Sequence, residues 1–160
     1  MGKRAWDISR SVTTTLYRRD SVYLVIIAGT IFCTLGLVHA IFTLIDWHHP
    51  RRLAPADPNV VTQMASTGLR LSRGRTNMWD AWIGFNLSHS LGAILYGAVC
   101  IATGMAMRST TVAWPVFAAL VLIAAIYEVL ALRFWFRVPA MGIAIAALCL
   151  IAGWLLGAAG

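Results

Sequence analysis

Residues 78–107 read MWDAWIGFNLSHSLGAILYGAVCIATGMAM, and after Asp80 this stretch contains no Asp, Glu, Lys or Arg. About 20 such residues suffice for a helix to cross ~30 Å of hydrocarbon. Residues 21–45, 109–127 and 138–160 are equally free of charge, and the 109–127 run extends through Glu128 toward Phe136. A soluble domain carries about twice the 12% charged content of this chain. The pattern predicts an all-α polytopic membrane protein, a four-transmembrane-helix up-down bundle, with helices at about 22–46, 79–107, 113–136 and 139–158. The first run is too long for a signal-peptide core, and no A-x-A cleavage site follows it.

Residues 21–160 thus form one transmembrane domain, and residues 1–20 stand before it as a basic segment. Lys3, Arg4, Arg10, Arg18 and Arg19 lie there with Trp6, Ile8, Val12, Leu16 and Tyr17 on a loose apolar face, as in an interfacial helix. The connection from Trp47 to Met78 carries Pro50, Pro55 and Pro58, which exclude one regular helix. Asp57-Pro58 makes an N-cap and first-turn pair for a short interfacial helix through about Leu71. Val61, Met64, Ala65 and Gly68 would share one face of it.

The net charge of +7 sits outside the spans, which favours anionic lipid headgroups as partners over nucleic acid. Cys33, Cys100 and Cys149 lie within spans without CxxC spacing, so they read as small packing residues.

Ionisable and amide groups in hydrocarbon are costly and often functional. The candidates are His39 and Asp46 in the first span, Asn86 and His89 in the second, and Glu128 in the third. At 1.5 Å per residue, His39 lies ~10 Å along the helix from Asp46, His89 ~13 Å from Asp80 and Glu128 ~9 Å from Phe134. In an up-down bundle those three ends emerge on one side, so His39, Asn86, His89 and Glu128 are expected in one polar layer. Helical phase places Asp46, Thr43, His39 and Gly36 on one face, and Trp82, Asn86, His89 and Tyr96 on another. Gly84, Ser88 and Gly92 form a separate small-xxx-small stripe, expected to pack against a neighbouring helix.

The segments GLVHAIF (36–42), RRLAPAD (51–57) and RTNMWDAWIGFNLSHSLGAILYG (75–97) resemble an uncharacterised family of small bacterial four-helix integral membrane proteins. A W-x-x-W-x-G-F-N-x-S-H-S-x-G block entering the second helix carries the resemblance. It implies the fold and a location in the bacterial inner membrane, and it places His39 and residues 79–92 at motif positions. It assigns no activity.

The chain contains no H-E-x-x-H, P-loop or paired-carboxylate spacing, which points away from an enzyme. The leading expectation is a small binding or accessory subunit that meets a second copy or another membrane subunit. A haem- or metal-dependent redox protein built on His39 and His89 is the alternative, and a proton-coupled carrier using Glu128 is the third. An N-terminus inside gives six basic residues on the cytoplasmic side against seven outside, so only the dominance of the first helix favours both ends inside.

Overall fold

The computed structural model describes the backbone of residues 2–159 and the side chains of residues 17–158. The apolar face expected on residues 1–20 falls, up to Leu16, outside the described side chains. The chain is all-α: α1 (Gly2–His48), α2 (Pro58–Ser66), α3 (Met78–Ala106), α4 (Trp114–Phe134) and α5 (Arg137–Ala159), with no strand among the described residues. The basic segment 1–20 therefore continues into the first span as one helix. Four stretches are long and apolar enough to cross a membrane: Tyr17–His48, Met78–Ala106, Trp114–Phe134 and Arg137–Ala158.

The distribution of polarity supports that assignment independently of length. Over residues 34–48 of α1 the buried residues are Gly36, Thr43 and Asp46, whereas Leu37, Val38, Ile41, Leu44 and Ile45 are exposed. α4 likewise exposes Leu122, Ile126, Val129 and Leu132. A helix that turns its polar face inward and its aliphatic face outward is inverted for water and suited to lipid.

The chain divides into two compact units. Unit 1 comprises Met1–Cys33 and Leu95–Gly160, so the first part of α1, the second part of α3, α4 and α5 meet as four helices. α1 and α3 run antiparallel there at close range. A Cβ on Gly97 would lie 2.5 Å from the Gly29 carbonyl oxygen and 2.7 Å from the Cys33 backbone nitrogen, and one on Gly104 would lie 2.7 Å from Ile26. Glycine is required at such a crossing because nothing larger fits between the backbones. The Ser21 hydroxyl donates to the Gly153 carbonyl on α5, and Phe32 packs edge-on against Tyr96 and Tyr127. Cys33, Cys100 and Cys149 lie within these helices and form no disulfide.

Unit 2, Thr34–Ile94, holds the end of α1, the connection and the start of α3. The Asp57 carboxylate accepts from the Asn59 backbone N–H at 2.9 Å and caps α2, with Pro58 in its first turn. α2 ends at Ser66 rather than near Leu71, because Thr67 turns extended and Gly68 pairs as an isolated bridge with Asn77. Gly68 is therefore not on the helix face assigned to it from the sequence. A 3-10 turn at Arg70–Ser72 and left-handed residues Arg73 (φ 50°) and Gly74 (φ 82°) reverse the chain into α3.

Candidate functional site

Unit 2 contains two polar centres on the same stretch of α1. Asp46 lies in the last turn of the helix and is 1% exposed. Its Oδ1 accepts the backbone N–H groups of Arg51 and Arg52, each at 2.9 Å. Its Oδ2 accepts those of Leu53 at 2.6 Å and Ala54 at 2.9 Å. Four successive amides thus wrap one carboxylate, an anion-binding backbone nest filled by the chain itself. A carboxylate at a helix C-terminus opposes the macrodipole by ~0.3–1 kcal/mol, and four charge-assisted bonds at ~1.5–3 kcal/mol each outweigh it. Pro50 stops the helix and turns the chain back so that these amides reach the carboxylate. The Arg52 guanidinium then lies over the Phe42 ring at 5.1 Å.

The second centre is His39 with Asn86 and His89. The His39 Nε2 atom is 3.0 Å from the Asn86 Oδ1. The Asn86 amide nitrogen donates to the Trp82 carbonyl at 2.8 Å. That second bond sets the amide orientation, because the reverse orientation would place Oδ1 against a carbonyl oxygen. Asn86 therefore offers His39 an acceptor, and His39 must donate from Nε2. In the neutral ring Nδ1 is then the nitrogen with the lone pair, which can accept a hydrogen bond, take a proton or ligate a metal. The His89 ring meets the His39 ring edge to face, centroids 5.5 Å apart and planes at 80°. His39 and His89 are half-buried and Asn86 is buried.

The remaining hydroxyls are satisfied locally. Thr43 donates to the His39 carbonyl, Ser88 to Phe85 and Ser90 to Asn86, each at 2.8 Å. Hydroxyls bonded back to their own helix are poor nucleophile candidates. Gly36 allows α3 to approach: a Cβ there would lie 2.9 Å from the Ser90 carbonyl oxygen and 3.1 Å from the Ala93 Cβ.

Three of the four residues expected in one layer are thus brought together in unit 2. Glu128 belongs to unit 1, on α4 beside the buried positions Ala124 and Ala131. One of its carboxylate oxygens, Oε2, is buried with no hydrogen-bond partner among the described residues. Tyr96 also belongs to unit 1, where its hydroxyl donates to the Leu120 carbonyl at 2.5 Å and ties α3 to α4. We therefore assign Tyr96 to packing rather than to the polar site. Trp82 contributes its carbonyl to Asn86 while its indole is exposed.

Gly84 and Ser88, two members of the small-residue stripe, do not carry the α1–α3 approach. A Cβ on Gly84 would meet nothing within 4 Å, and Ser88 is exposed. Gly29, Gly36, Gly97 and Gly104 supply the approach instead. Helical phase locates a small-residue face but does not tell which face is occupied.

The histidine pair fits a haem poorly. The rings touch edge to face, which leaves no gap for a macrocycle between them, and Nε2 of His39 is engaged by Asn86. Among the described residues no three His, Cys, Asp or Glu side chains gather as a metal-holding group. A two-histidine site would need further ligands from a substrate or a partner.

No protein-family model matches the chain, and neither a curated protein nor a solved structure matches it.

Proposed function

We propose that the protein is a small binding or accessory subunit of the bacterial inner membrane, with both ends cytoplasmic, related to the uncharacterised four-helix family that its motif resembles. Its site is the His39–Asn86–His89 group, which engages a hydrogen-bonding or proton-donating ligand carried by a partner subunit or a second copy. The observation that carries this is the His39–Asn86–Trp82 chain of bonds, which fixes the imidazole and presents Nδ1 as an acceptor. Orienting an acceptor before a ligand arrives lowers the ordering cost of binding. The test is native mass spectrometry of the protein released from its membrane in mild detergent. A ligand or subunit retained by the wild type and lost in both His39→Ala and His89→Ala supports the proposal. Turnover by the purified chain alone, or retention that ignores both substitutions, contradicts it.

The orphaned Oε2 of Glu128 favours a second function, a carrier that exchanges a proton for a cation at this carboxyl. Uptake of an organic cation into proteoliposomes, abolished by Glu128→Gln, supports it. Uptake that survives Glu128→Gln removes it.

A further inference from the structure

A second polar feature lies in unit 1, remote in sequence from the histidines. Arg18 and Arg19 stand at the start of the first span, and Arg108 follows the end of α3. Together with Val22 and Tyr23 they line a cavity of about 310 Å³. All five residues belong to the same compact unit.

Each arginine is held differently. Arg18 donates from Nε to the Met107 carbonyl at 3.1 Å and from Nη2 to the Thr110 carbonyl at 3.3 Å. It thereby covers the negative end of α3, which would otherwise repel an anion. A guanidinium carries five N–H donors, so Arg18 keeps several for a ligand after those two bonds. Arg19 lies over the Tyr23 ring at 5.6 Å, which holds its plane while leaving its edge open. Arg108 lies across the cavity on the turn after α3, and its side chain is exposed. The nearest acid in sequence, Asp20, is ~160° around α1 from Arg18 and does not line the cavity. Three cations face one opening, against about half a negative charge from the helix end.

The surroundings select the ligand. The cavity wall changes from Arg18 and Arg19 to Val22 and Tyr23 within one turn, at the point where the charge-free run begins. A tyrosine at that boundary occupies the usual headgroup level of a membrane protein. We propose that Arg18, Arg19 and Arg108 form a binding site for a phosphate group, supplied by an anionic phospholipid or by free phosphate.

The experiment titrates the detergent-purified protein with phosphatidylglycerol, with phosphatidylcholine and with inorganic phosphate, reading occupancy by native mass spectrometry. Phosphatidylglycerol is expected to bind at least ~10-fold more tightly than the zwitterionic lipid. Arg19→Gln/Arg108→Gln is expected to lose ~30-fold, as two basic residues fewer at an anionic surface imply. Arg18 is left in place because it caps α3, and a melting curve confirms that the double variant is folded. Arg133→Gln/Arg137→Gln, at the α4–α5 turn, serves as a charge-matched control and is expected to bind as the wild type does. Phosphatidylglycerol binding that inorganic phosphate does not displace supports the lipid source, and inorganic phosphate that binds alone supports the free one. Equal retention of both lipids, or a double variant that binds like the control, overturns the site.

Discussion

Asp46 and His39 lie on one face of α1, about two helical turns apart, and they differ in what satisfies them. Asp46 is closed: the four amides of residues 51–54 fill its carboxylate, and the chain supplies every one. His39 is held, among the described residues, by one side-chain bond to Asn86, and its ring meets a second histidine. Both are polar groups in a span that is otherwise aliphatic on its outer face. Burial of a polar residue in a membrane helix therefore does not by itself mark a site. The distinguishing question is whether the chain already provides its partners.

That contrast orders the expected effects of substitution. Asp46→Ala removes the acceptor from four backbone N–H groups, and we expect a stability loss above ~3 kcal/mol in detergent unfolding, with faster proteolysis after Pro50. Asp46→Asn should recover less than half of it, because its amide nitrogen would face two N–H donors in place of an accepting oxygen. A small loss in Asp46→Asn would show that the nest is less closed than its geometry indicates.

The next effects are steric. Gly97→Ala places a methyl against the α1 backbone in unit 1, and a cost of ~1–3 kcal/mol is expected from overpacking. Gly84→Ala meets open space and should be neutral in the same unfolding assay, or slightly stabilising from its gain in helix propensity. An equal cost at both positions would return the Gly84 stripe to the packing role expected from the sequence.

Smaller again is the interhelical bond of the site. Asn86→Leu should cost ~0.6 kcal/mol, and no more than ~1.7, the range measured for hydrogen bonds between membrane helices. A double-mutant cycle with His39→Leu should return a coupling of the same size. A modest stability effect, under ~1 kcal/mol, is expected for His89→Ala, while ligand or partner retention is lost. Stability and function are thus expected to separate at His89 and to coincide at Asp46.

Much of this fold could be read from the sequence, because charge-free runs of membrane length have few other structural uses. The Asp57-Pro58 start of α2 was equally legible, since cap and first-turn proline are local signals. Its early end at Thr67 was not, because the Gly68–Asn77 bridge that competes with the helix links residues nine apart. Gly36, His39, Thr43 and Asp46, which helical phase places on one face of α1, are buried or half-buried in the structure. It could not show that Asp46 is satisfied by the connection, since the path of residues 49–54 depends on Pro50 and the wrap of the loop. Depth along a helix brought His39, Asn86 and His89 together in unit 2. The same measure carries no lateral information on Glu128 and Tyr96, which fall in unit 1. Arg18 was assigned only to a basic tail, although its carbonyl partners lie about 90 residues away and left no local signal.

The decisive feature of His39 is which ring nitrogen carries its proton. Nitrogen-15 magnetic resonance of the histidine rings in a lipid bilayer, at a pH high enough to keep His39 neutral, reports which nitrogen carries the proton. A single His39 tautomer is expected, protonated at Nε2 and bare at Nδ1, which becomes a mixture in Asn86→Leu. A His39 ring protonated at Nδ1, or a tautomer indifferent to Asn86→Leu, would contradict it.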